Sequence, residues 1–149
     1  MSAKTPMPTT YLLIAMIVMI AIHFLFPAAL IIPPLWNLLG LIPLIAGVAI
    51  NLMADQAFHK ASTTVKPFEE SSVLVTDGVF RMSRNPMYLG FILVLIGLAV
   101  LLRSLSPYAV ILLFAIWIQQ TFIVVEERML AARFSAQWQR YRQNTRRWL

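Results

Sequence analysis

From Thr5 to Ala54 the chain carries no Asp, Glu, Lys or Arg. One membrane-crossing helix needs roughly 20 apolar residues, so this run is long enough for two. Inside hydrocarbon every backbone N–H and C=O must find a partner within the chain, which makes helices the solution for such segments. Pro33-Pro34 divides the run. The first expected span is Thr9–Ile32, about 33 Å long if its central ~22 residues are helical, with a kink at Pro27. The second is Trp36–Ala54, joined to the first by a turn of a few residues, so that residues 1–56 form an antiparallel hairpin. Gly40, Pro43 and Gly47 permit close helix approach or a bend there. Trp36 fits an anchor at the membrane boundary.

Two further apolar runs follow, the rather short Pro86–Leu102 and then Tyr108–Val125, linked through Arg103, Ser104 and Pro107. Asp55–Arg84 is the one sizeable polar connection. It holds Lys60, Lys66, Glu69, Glu70, Asp77, Arg81 and Arg84, with Pro67 and the cluster Ser62-Thr63-Thr64. After Glu126-Glu127 the chain turns basic. Within Arg128–Trp148, the residues Leu130, Phe134, Trp138 and Tyr141 recur at the spacing of one helix face. An amphipathic helix resting on anionic lipid is expected there, with a lid over a site as the sharper alternative.

The expected fold class is therefore an all-α polytopic membrane protein, in one domain, with about four transmembrane helices and a C-terminal amphipathic interfacial helix. A composition of 60% hydrophobic and 12% charged residues agrees. Four spans put both termini and the long connection on one side, together with eleven of the twelve Lys and Arg residues, all but Arg103. The excess of basic residues places that side in the cytoplasm. The net charge of +6 thus addresses membrane lipids rather than nucleic acid. There is no cysteine, and His23 and His59 stand too far apart for a metal site of their own. His23 reads as a helix contact and His59 as a surface residue. The length of the first apolar run argues against a removable leader.

Chemistry concentrates in Leu74–Gly90. Asp77-Gly78 is a turn signal, and Asn85-Pro86 disfavours helix at Asn85 while starting one at Pro86. Unpaired N–H groups at such a start favour an anion, and Arg81 and Arg84 reinforce them. Gly90, a turn further in, leaves room for a ligand along the helix start. The ordinary reading of these residues is span anchoring and helix packing. Glu126 and Glu127 follow the fourth span directly, where acids are costly. They either pair at the surface with Arg128 or Arg133, or face Arg84 and bind a cationic group. Two acids and two arginines at one membrane face suit a zwitterion, such as the amino-acid end of a nucleoside cofactor. Asn51 and Asp55 add polar lining.

Two strings carry a family resemblance. The first is Gly78-Val79-Phe80-Arg81-Met82-Ser83-Arg84-Asn85-Pro86-Met87-Tyr88-Leu89-Gly90, and the second joins Glu126 and Glu127 to Leu130, Phe134, Trp138 and Tyr141. In this order the chain resembles a small bacterial member of the isoprenylcysteine carboxyl methyltransferase family, a broad group that includes phospholipid N-methyltransferases. The resemblance runs from about Phe58 to Trp148. It implies a cofactor-binding core over residues 57–149 and a methyltransferase in the bacterial cytoplasmic membrane, with both termini cytoplasmic. S-adenosylmethionine is the implied donor, with S-adenosylhomocysteine as product and a lipid-like acceptor. Arg84, Asn85, Pro86, Tyr88, Gly90, Glu126 and Glu127 would line the cofactor pocket, with Glu127 and Arg84 at its chemical centre. Asn85 stands where many members have histidine. Gln119–Val125 lacks the arginine that eukaryotic prenylcysteine enzymes carry before the paired acids, which leaves carboxylate and amine acceptors both open. A four-span proton-coupled transporter, a membrane scaffold and a sterol-type reductase are the rival readings. The first lacks a mid-membrane acid and the last is longer than this chain.

Overall fold

Proline sets where the helices begin: Pro8, Pro86 and Pro107 each open one, where the missing N–H costs nothing. The structure, a computed structural model, describes residues 7–62 and 72–149. Thr63, Thr64, Lys66, Pro67, Glu69 and Glu70 lie outside the described residues. Helix α1 spans Pro8–Leu25, and α2, Leu41–Lys60, follows a 3-10 turn at Trp36–Gly40. A second 3-10 turn at Gly78–Arg81 precedes α3, Pro86–Leu102. Helix α4, Pro107–Ile118, continues through a π-helical turn at Gln119–Ile123 into α5, Val124–Asn144. Among the described residues there is no strand, only an antiparallel bridge between Leu30 and Ser104. Three stretches, Pro8–Leu25, Trp36–Lys60 and Pro107–Asn144, are long and apolar enough to cross a membrane. Helix α3 is apolar too, but its 17 residues reach only about 25 Å.

The first span is shorter than expected. It stops at Leu25 instead of continuing, kinked, to Ile32, because the residue before Pro27 is driven out of the helical region; Phe26 has φ −146° and ψ 70°. Residues 26–35 fold across the α3–α4 connection. Ile31 N donates to Arg103 O and Leu105 N to Ala29 O, both at 2.9 Å. Arg103 Nε meets Ile32 O at 2.9 Å, and His23 Nδ1 lies 2.8 Å from Ser104 Oγ. Helix α2 runs past Asp55 to Lys60, where exposed His59 sits 3.4 Å from Asp55.

Helix α3 organises the packing. Helix α2 lies along it, while α1 and α4 pack on it and on each other; α1 and α2 share little contact and are held together chiefly through α3. Two glycine pairs bring α2 and the 3-10 turn before it against α3, Gly47 with Gly90 and Gly40 with Gly97. A Cβ on Gly47 would fall 2.5 Å from Gly90 O, and one on Gly97 would fall 2.5 Å from Gly40 O. Backbones in such contact gain dispersion energy where lipid supplies no hydrophobic drive between helices. Met19, Leu95, Ile118, Phe122 and Ile123 are fully buried among α1, α3 and α4. Ile17, Phe24, Ile42, Ile45, Leu112 and Leu113 face outward, as lipid contact requires.

A second cluster closes one end of the molecule. Ala54, Val79, Phe80, Trp138 and Tyr141 are buried together, with Leu130 and Phe134 against them. The apolar face of α5 that was expected to rest on lipid is therefore turned inward, onto the end of α2 and the Gly78–Arg81 turn. Nor does this helix start afresh at Arg128. Glu, Arg, Met, Leu and Ala are good helix formers, so α4 runs on past Val125, and the break comes at Ser135, whose φ of 35° and ψ of −101° are not helical.

Candidate active site

The Gly78–Arg81 turn is pinned before it reaches any charged group. Gly78 takes a φ of 62°, a left-handed conformation that glycine adopts at no steric cost. Val79 and Phe80 then bury their side chains. Tyr141 OH, on α5, donates to Phe80 O at 2.6 Å, with Ser83 O at 3.5 Å. Removing this hydroxyl leaves a buried carbonyl unpaired, at a cost of about 1–3 kcal/mol. Tyr141→Phe is therefore expected to lower the melting temperature in detergent by several degrees; an unchanged melting curve would show that the bond contributes nothing.

Beyond the turn, Ser83 is fully buried. Its Oγ accepts from Asn85 N at 3.1 Å and donates to Arg147 O at 3.0 Å. Asn85 precedes α3, yet its side chain does not cap the helix. Its Nδ2 instead reaches Glu127 Oε1 at 3.4 Å and Arg147 O at 3.3 Å. Arg84 N donates to Arg146 O at 2.9 Å.

The two acids point to different partners, since neighbouring helix positions diverge by about 100°. Tyr88 OH donates to Glu126 Oε1 at 2.7 Å. Glu127 sits between two guanidinium groups, Arg84 Nη2 at 3.5 Å from Oε1 and Arg147 Nη2 at 2.6 Å from Oε2. Arg147 Nε adds a bond to Oε1 at 3.2 Å. Trp148 Nε1 donates to Gln119 Oε1, in the π-helical turn, at 3.1 Å. The surface pairing of the acids with Arg128 or Arg133 is thus not the arrangement found.

The electrostatics favour an added anion. The Arg84 and Glu127 side chains are only 8% and 11% exposed. Burial pushes the Arg84 guanidinium below its ordinary pKa, with Glu127 opposing that shift, whereas its bond to Glu127 holds Arg147 above the usual value. Arg84 Nε and Nη1 are buried without a hydrogen-bond partner, although Trp138 offers its ring face 5.6 Å from Cζ, a cation–π contact. Two guanidinium groups on one carboxylate leave a positive charge in excess. A carboxylate placed at Arg84 would answer both the charge and the unpaired N–H groups.

Of the residues expected at the site, Arg84, Asn85 and Glu127 come together in one cluster. Tyr88 and Glu126 form a pair joining α3 to α5, and Pro86 is buried at the first position of α3. Gly90 is elsewhere. It faces α2, where the Gly47 carbonyl and the Asn51 amide fill the room that a ligand was expected to use. Asn51 Nδ2 bonds Gly47 O at 2.9 Å, and Asp55 is turned to His59. Ser83, Gln119, Arg147 and Trp148 are the members that sequence reasoning missed. Arg146-Arg147-Trp148 was legible only as more of a basic, lipid-facing segment.

The chain as a whole is similar to known proteins. The model of the family described as phospholipid methyltransferase matches residues 35–137. The protein-S-isoprenylcysteine O-methyltransferase of Saccharomyces cerevisiae is 39% identical over 112 residues, which is 72% of this chain and 46% of that protein. The solved structure of the eukaryotic intramembrane Ras methyltransferase, an isoprenylcysteine carboxyl methyltransferase, superposes with a TM-score of 0.70 at 26% identity, covering 95% of this chain and 51% of that one. The chain spans about half the length of these relatives. A family model that takes in the first string and the paired acids with Leu130 and Phe134, together with the shared helical fold, supports one conclusion: the chain belongs to the phospholipid methyltransferase family, alongside the isoprenylcysteine carboxyl methyltransferases.

Proposed function

We propose that this protein transfers a methyl group from S-adenosylmethionine to an amphiphilic acceptor at the cytoplasmic face of the membrane. The observation that carries this reading is the buried Arg84–Glu127 pair, with unpaired Arg84 N–H groups beside it. Arg84 would hold the cofactor's carboxylate, and Glu127 or Glu126 its ammonium. Asn85 and Tyr88 orient the two acids. When bound, the cofactor supplies an electrophilic methyl on a sulfonium, a leaving group that needs no protonation.

The chain's own contribution is then position and dryness. Arg84 would set the cofactor's direction, and the buried Trp138 of α5, its ring 5.6 Å from the guanidinium, would keep water from that contact. Acceptors enter from lipid, in keeping with the apolar outer surface. A prenylated carboxylate, like that of the yeast relative's named substrate, is ionised at neutral pH and needs no base. A phospholipid amine, in keeping with the family's description, must lose a proton, and Glu126 or Glu127 would take it. With four spans, eleven of the twelve basic residues would fall on one side, which supports a cytoplasmic site. Incubating membranes with methyl-tritiated S-adenosylmethionine should label the lipid extract only where the gene is expressed. Absence of label, with no S-adenosylhomocysteine binding to the purified protein by calorimetry, would rule the reading out.

A further inference from the structure

Glu127 is already saturated. A carboxylate offers about four lone-pair sites, and here Oε1 faces Arg84, Asn85 and Arg147 while Oε2 takes the short bond from Arg147. Arg84 and Asn85 cannot withdraw, because they belong to the backbone corner that starts α3. Arg147 can. It is 35% exposed against 8% for Arg84. It also lies beyond the end of α5, after an extended Thr145 with φ −130° and ψ 132°.

Its neighbours bind the same elements. Arg146 O accepts from Arg84 N, Arg147 O accepts from Ser83 Oγ and Asn85 Nδ2, and Trp148 ties to Gln119. Residues 146–148 thus close over the Arg-Asn-Pro corner, Glu127 and the π-helical turn. A guanidinium and an ammonium are both cationic donors, and one Glu127 cannot serve both at full strength.

We infer that Arg147 is an internal stand-in for the cofactor's ammonium, and that residues 146–148 form a strap that must leave Glu127 before the cofactor can bind. This rests on the reading of Glu127 as the ammonium's partner. It gives Glu127 Oε2 a short charge-assisted bond that the distant Arg84 does not supply. Cofactor affinity is then reduced by the fraction of molecules in which the strap is closed.

The test compares S-adenosylhomocysteine binding, by calorimetry in detergent, for the wild type, Arg147→Ala and Arg147→Lys. Arg147→Ala removes the competing cation but keeps the backbone bonds of residues 146 and 147. It is expected to bind about tenfold more tightly, which is roughly 1.4 kcal/mol, with Arg147→Lys in between. A second readout avoids relying on one variant. The chain has no cysteine, so Met82→Cys and Leu149→Cys, both at exposed positions, accept a pair of spin labels. Saturating S-adenosylhomocysteine should lengthen their separation. Weaker or unchanged binding by Arg147→Ala, or an unchanged separation while the ligand binds, overturns the strap and leaves the methyltransferase reading intact. No binding by any variant, the wild type included, removes both.

Discussion

Glu127→Gln is expected to abolish cofactor binding and methyl transfer, and to lower the melting temperature more than any other conservative change at the site. The substitution keeps shape and volume but removes the one negative charge shared by Arg84 and Arg147. Breaking a buried pair by neutralising one partner typically costs about 3–5 kcal/mol, because the other charge stays buried and uncompensated. The same change removes the group proposed to receive the ammonium. An effect of that size on binding would be a loss of more than about a hundredfold. Arg128→Ala is the matched control, since Arg128 is exposed one position along the same helix. Calorimetry with S-adenosylhomocysteine and thermal unfolding check the two halves of the expectation. Wild-type affinity in Glu127→Gln would contradict the assignment of this acid to the cofactor.

Gly47→Leu is expected to prevent folding altogether. A Cβ alone would stand 2.5 Å from Gly90 O and 2.9 Å from Val94 N, and backbone on an opposing helix cannot swing aside as a side chain does. Even Gly47→Ala must push α2 and α3 apart, at about 1–3 kcal/mol for overpacking of this kind. Leucine adds three more carbons to the same gap. Because α3 begins with the Arg-Asn-Pro corner, this remote change would also scatter the site. Gly78→Ala gives the contrast: nothing lies within 4 Å of its Cβ, so only the φ of 62° is penalised, at about 1–2 kcal/mol. Yield of monodisperse protein from detergent measures both; a well-folded Gly47→Leu protein would mean that the helices do not touch where described.

Much of the membrane architecture was legible because charge absence and proline are unambiguous. Pro86–Leu102 emerges with the bounds that its sequence suggested, and Glu127 turns toward the Arg-Asn-Pro corner while Glu126 meets Tyr88. Three things were not legible. Pro27 read as a kink, though here the helix before it simply ends, and sequence alone does not say whether a neighbouring helix will hold the two sides in line. Gly90 read as space for a ligand, when the space belonged to another helix; a missing side chain does not announce what fills it. Arg147 was hidden most deeply. It lies 62 residues from Asn85, and no periodicity connects a basic segment to a pocket. Its exposed neighbours Arg140, Arg142 and Arg146 share its composition but not its role.

The wide turn at Gln119–Ile123 acts as a clocking device. An extra residue in one turn advances everything downstream around the helix axis by about 100°. Above it, Ile111, Phe114 and Ile118 address the interior; below it, the wheel has been reset so that two consecutive acids straddle the seam between α3 and the strap. Families that lengthen or shorten this rod by whole turns would keep that phase, whereas the loss of a single residue would rotate both carboxylates off their partners at once.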